Sequence, residues 1–164
     1  MVLLRAAALL VLALWVGGLA ALGLVAAPAI FSTLEAHDPA GGRTVAGLVF
    51  GAVFGQFQHW SWLLGGLTVV LLFVRALLGP RPRRLGWRVG LAAAMLALSV
   101  VTSQVISPRI ERIRQETAGA IATLPAGDPR RVEFGRLHGL SNIFMLVTLL
   151  AGAVLITLEA ADTH

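Results

Sequence analysis

The sequence predicts an all-α integral membrane protein, a four-helix bundle with helical extensions on the extracytoplasmic side. Three observations carry this. Of 164 residues, 57% are hydrophobic and only 13% charged, whereas a soluble domain has about a quarter charged. Four uncharged runs each reach the roughly 20 residues a helix needs to cross the hydrocarbon core. No barrel-like alternation of period two accompanies them. A chain this short cannot hide so much apolar surface in a water-soluble core, so lipid is the remaining solvent. Helices then satisfy their own backbone hydrogen bonds.

The first run, 6–34, follows Arg5. Its apolar stretch far exceeds the roughly 7–15 residues of a signal-peptide core, so a retained membrane helix is expected. The second run, 45–74, is too long for one crossing. Either the helix projects from the bilayer, or residues 45–55 form a separate piece near the interface. Trp60 and Trp62 mark one membrane boundary and Trp87 the other, because indoles prefer the headgroup level. The third run is 89–108 and the fourth 139–158. Residues 1–164 therefore form one polytopic domain, with crossings near 6–31, 57–79, 87–108 and 137–158.

All 13 basic residues are arginines, and the formal net charge is +5. The connection from Gly79 to Arg88 is short and dense in arginine, so the positive-inside rule turns it to the cytoplasm. With four crossings both termini are cytoplasmic, and the expected location is a bacterial inner (plasma) membrane. The longer third connection also carries arginines, interspersed with Glu111, Glu116 and Glu133. There Ile106, Ile110, Ile113, Thr117, Ile121 and Leu124 recur at helical spacing. Helix three should continue past a kink at Pro108, turn at 125–129, and lead into helix four near Arg131. Glu159 and Asp162 read as a polar stop after it, and His164 as a frayed end.

Small residues let helices approach closely in lipid. Gly47, Gly51 and Gly55 form such a packing series, suited to contacts within the chain or to dimerisation. Ser99, Ser103 and Ser107 follow one face of helix three. Cysteine and tyrosine are absent, which excludes disulfides, thiolate metal sites and tyrosyl chemistry. No hydrolase, zinc-protease, nucleotide-binding or paired-carboxylate motif occurs. The expectation leans away from an enzyme, with no catalytic residue named, and away from nucleic acid as a partner.

The intramembrane polar residues gather toward one face. Gln56, Gln58, His59 and Ser61 precede the second crossing; Thr102, Ser103, Gln104 and Ser107 end the third; His138, Ser141 and Asn142 open the fourth. His59 and His138 are the candidate ligands. Two facing imidazoles can hold a metal ion or a non-covalent haem, and one alone can carry a proton or bind a polar solute. The same residues also serve as interhelical hydrogen bonds that fix register. Gln56, Gln104, Ser107, Ser141 and Asn142 are the supporting polar groups. Arg109, after Pro108, is a candidate for an anion or lipid headgroup, or for a surface ion pair with Glu111 or Glu116. Glu35, His37 and Asp38 are either an exterior metal-collecting cluster or a solvated turn.

Ala27-Pro28-Ala29-Ile30-Phe31 closes the first helix. Ser107-Pro108-Arg109-Ile110 follows the third, with Arg114 beyond. Phe134, Leu137-His138-Gly139 and Ser141 open the fourth. In this order and over nearly the whole chain, the sequence resembles the transmembrane protein 205-like family, four-helix membrane proteins of unknown function. The resemblance implies four crossings and supplies no reaction. The functional expectation is a non-enzymatic membrane protein with a polar, His-containing site at the extracytoplasmic helix ends, binding or transporting a metal ion, haem or small solute. The alternative is an accessory or scaffold subunit of a larger membrane complex. Expected partners are the bilayer and either a second copy or a membrane-complex subunit.

Overall fold

The computed structural model describes residues 2–78 and 84–161. Four long helices account for nearly all of them: α1 (Val2–His37), α2 (Gly42–Leu78), α3 (Leu85–Glu116) and α4 (Pro129–Ala160). Residues 79–83 of the arginine-rich turn, Asp162 and His164 lie outside the described residues. Each helix contains an 18-residue window apolar enough to cross a membrane, and at most 28% of any window is buried. The outward remainder includes Leu10, Leu14, Val70, Phe73, Leu146 and Leu150, all at least half exposed. Such a surface is stable only against hydrocarbon. Trp60 and Trp87 also point outward, as interfacial indoles do. The second apolar run is one unbroken helix, so it projects beyond a single crossing; no separate interfacial piece forms at 45–55.

The buried positions follow a heptad rhythm. From residue 58 onward on α2 they are Gln58, Ser61, Gly65, Thr68, Leu72 and Arg75; on α3 as far as residue 106, Arg88, Ala92, Met95, Ser99, Thr102 and Ile106. Alternating steps of three and four keep one seam facing inward in a left-handed bundle. Leu12, Trp15, Leu72, Ala92, Met95 and Leu155 form the main core. Large side chains meet glycines across the helix contacts. A Cβ at Gly65 would lie 2.8 Å from the Trp15 ring, and one at Gly18 would lie 2.5 Å from Phe57. The close approach that holds helices together in lipid therefore comes from paired large and absent side chains. Gln58 adds a polar tie by donating from Nε2 to the Ser99 carbonyl at 3.4 Å.

At the end bearing the arginine-rich turn, the helices close a ring in which α1 packs on α2, α2 on α3, α3 on α4 and α4 on α1. An ion cluster seals this end. Glu159 of α4 is fully buried and accepts from both Arg75 of α2 and Arg88 of α3; the Arg88 contact, Nη1 to Oε1, is 2.6 Å. Arg88 also donates to the Leu158 carbonyl at 2.9 Å. Arg5 of α1 caps the end of α4, donating to the carbonyls of Glu159 and Ala160. The expectation that Glu159 is a polar stop after the fourth helix is corrected here: it lies buried inside the last turn of α4. Its carboxylate points inward because two guanidiniums converge on it, and a buried charge persists only when paired.

At the opposite end the ring opens. The Ala27–His37 half of α1 stays on α2, while the Ser107–Glu116 half of α3 stays on α4. The helices become two hairpin arms. Each arm begins just after a π-helical turn, Leu22–Ala26 in α1 and Thr102–Ile106 in α3. In both helices a proline, Pro28 or Pro108, stands two residues beyond that turn. Proline donates no hydrogen bond, and its ring crowds the carbonyl four residues back. Widening the helix by one residue relieves the clash. What the structure shows near Pro108 is a π-helical turn just before it, with a counterpart in α1. Gly119, at φ +80°, ends the α3 arm in a conformation glycine adopts freely. Asp128 caps α4 by accepting from the Arg130 amide at 2.9 Å, and Arg130 holds its carboxyl down at about 2.

Candidate functional site

A cavity of about 1310 Å³ lies between the two arms. Its walls explain why this region has few buried residues. The Ala27–His37 half of α1 has none, and α2 has none between Gly47 and Gln58. The faces that would pack together in a closed bundle look into the cavity instead. One arm supplies Phe31, Phe50 and Phe54, with their rings in mutual contact at 5.9–6.5 Å. The other supplies Ile110, Phe134 and Met145. Ser107, His138, Ser141 and Asn142 add polar groups, all from the second arm.

Arg114 spans the gap. Its guanidinium sits 5.9 Å from the Phe134 ring centroid and reaches over to α2. There a Cβ at Gly51 would lie 2.8 Å from its Nη1, and one at Gly47 would lie 3.1 Å from its Nη2. The two glycines make the seat for a cation from the facing arm, within the chain. Gly55 faces open space. Among the described residues, Arg114 has one ion-pair partner, the half-exposed Glu111, at 3.9 Å. A second link between the arms is the hydrogen bond from Thr44 Oγ1 to the Gly119 carbonyl, at 3.3 Å.

The two candidate histidines have different surroundings. His138 lines the cavity and stacks flat on Phe134, with centroids 6.0 Å apart. His59 is exposed, meets Trp62 edge-on at 5.5 Å, and is not part of the cavity wall. It lies eight residues beyond Gly51 on α2, about 12 Å along the helix. The expected convergence is not what the structure shows: His138, on α4, lines the cavity, whereas His59, on α2, lies outside its wall. Gln56 and Gln104 are exposed and outside the wall, whereas Ser107, Ser141 and Asn142 belong to it. Arg109 is exposed and is not part of the cavity wall. The cation that spans the site is Arg114, five residues on. Glu35 pairs with Arg43 at 3.7 Å, and Asp38 accepts from the Ala40 and Gly41 amides, which makes that loop a hydrogen-bonded turn. Among the described residues no group of three or more His, Asp or Glu is placed to hold a metal ion.

Sequence reasoning found the polar end of the bundle and missed Arg114 as its centre. A signal was available. Arg114 falls eight residues after Ile106 on the face that carries Ile110 and Ile113, opposite the small-residue face of α2. Residues 10–118 match the family model described as a domain of unknown function, DUF4149. No curated protein and no solved structure matches the chain.

Proposed function

The chain belongs to the DUF4149 family, and we propose that it is a membrane protein that binds a small solute between its two arms and performs no chemistry on it. Kinship with transmembrane protein 205-like proteins is part of this reading. The observation that carries it is the cavity of about 1310 Å³, with Ser107, His138, Ser141 and Asn142 on its wall. Ligand sites are typically concave, mostly apolar and furnished with a few convergent polar groups. Of the three ligand classes the sequence allows, the solute is favoured over a metal ion or haem, since only one of the two candidate imidazoles reaches the wall.

Filling the cavity tests the reading. The full chain, purified in neutral detergent and examined by native mass spectrometry, should retain a small molecule. Ser141→Trp should retain at least tenfold less. A wild-type chain that carries nothing, or a variant that carries as much, would contradict the proposal.

The open end faces the outer side of a plasma membrane in this reading, because the arginine-dense turn lies at the closed end. The chain has no cysteine, so Ala126→Cys gives a single label in the connection between α3 and α4. Membrane-impermeant maleimide should label it in intact cells. Labelling only after lysis would reverse the orientation.

A further inference from the structure

Resting on the cavity reading above, we infer that the solute is an anionic amphiphile whose charged head sits at Arg114 and whose chain runs down between the arms. Four observations lead there. First, Arg114 is a cation held at an inner wall, its side chain 19% exposed, with its single carboxylate partner beyond hydrogen-bond length. Guanidinium offers a fork of donors that fits phosphate or carboxylate.

Second, Gly47 and Gly51 leave the guanidinium a seat that any larger residue would take. A series of small residues is usually read as helix packing; here its neighbour is a charged group from the facing arm. Third, the charge on the walls is one-sided. Arg43, Arg114 and Arg131 line the cavity against Glu111 alone. Arg43 and Arg131 are engaged at the rim, by Glu35 and by the Leu124 carbonyl.

Fourth, below Arg114 the wall passes the polar groups Ser107, His138, Ser141 and Asn142 and ends on an apolar floor. Met145 lies seven residues past His138 on α4, about 10 Å deeper. It packs toward Gly23 of α1, where a Cβ would meet its methyl at 3.0 Å. Ala27, one turn along α1 from Gly23, and Phe54 add to the apolar wall. A polar solute without a chain would leave this floor unused, and an uncharged chain would leave Arg114 without an anion.

Three probes separate the elements of the claim: 1-oleoyl lysophosphatidate, monooleoylglycerol and glycerol 3-phosphate. Each is titrated against the full chain in a neutral maltoside detergent, with bound probe counted by native mass spectrometry. Lysophosphatidate should bind one per chain. Monooleoylglycerol, which lacks the charge, should bind at least tenfold more weakly, the worth of one charge-assisted contact of about 1.5 kcal/mol or more. Glycerol 3-phosphate, which lacks the chain, should not bind. Arg114→Gln should reduce lysophosphatidate to the level of the uncharged probe, and Arg114→Lys should restore part of the loss. Gly51→Ala, a helix-favouring change that unseats the guanidinium, should weaken binding in the same direction and stands in if Arg114→Gln does not fold.

Equal binding of lysophosphatidate and monooleoylglycerol, or undiminished binding by both variants, would overturn the anion and leave the cavity reading in place. Glycerol 3-phosphate binding as tightly as the lipid would overturn the chain and assign the site to soluble phosphates. No binding of any probe would overturn the inference, while a different molecule retained by wild type and lost from Ser141→Trp would still uphold the cavity.

Discussion

Replacing Glu159 with leucine is expected to destabilise the bundle by about 3–5 kcal/mol, the cost of stranding buried charge when one partner of a buried pair is removed. The carboxylate is fully buried and serves Arg75 of α2 and Arg88 of α3 together. Its loss removes a buried carboxylate from between two guanidiniums whose side chains are 7% and 3% exposed. Glu159→Gln keeps the shape and loses the charge, and it should fall between wild type and leucine. Among the described residues Arg5 bonds to backbone carbonyls at this end, so Arg5→Ala should cost far less. Unfolding in mixed micelles of increasing SDS fraction, followed by circular dichroism, measures all three. A leucine variant as stable as wild type would mean that the triad holds nothing together.

Trp15→Ala should cost a similar amount, about 3–5 kcal/mol, by opening a cavity where the ring now fills the space left by Gly65. Trp15→Phe should cost much less. The Trp15 Nε1 is buried with no hydrogen-bond partner among the described residues, so phenylalanine gives up no polar contact and removes an unsatisfied donor. The same unfolding assay, run on the two variants, distinguishes a steric role from a polar one. Equal losses for phenylalanine and alanine would point to a hydrogen bond at the indole.

The four crossings were legible because lipid imposes a simple rule: long uncharged runs must be helices that satisfy their own backbone. Gathering of polar groups at one end was legible too, from up-and-down topology. The ion cluster was not recognised, although its register was present. Steps of three and four from Gln58 through Leu72 lead to Arg75, those from Ile106 back through Ala92 lead to Arg88, and Thr148, Gly152 and Leu155 lead to Glu159. Charge near a helix end reads as solvated unless the seam is followed to its last layer.

The histidine pair misled for another reason. Proximity to a membrane boundary in sequence does not fix depth when the helices all run on past that boundary, and α2 carries Gly47 and Gly51 well above His59. The cavity itself was hidden because neither π-helical turn can be counted from hydropathy. Pro28 and Pro108 were visible, but each reads equally well as a kink, an end or a first-turn residue.

An α-helix advances about 100° per residue, so the extra residue in each π-helical turn rotates everything after it by about that angle. Deleting one residue from within 22–26 would restore an ordinary helix and rotate the α1 part of the first arm's lining, carrying Phe31 away from its contact with Phe50. A deletion within 102–106 would likewise rotate the α3 part of the second arm's lining, Ile110 included. Two single-residue insertions, 80 positions apart, thus decide whether this chain is a solid rod or a vessel.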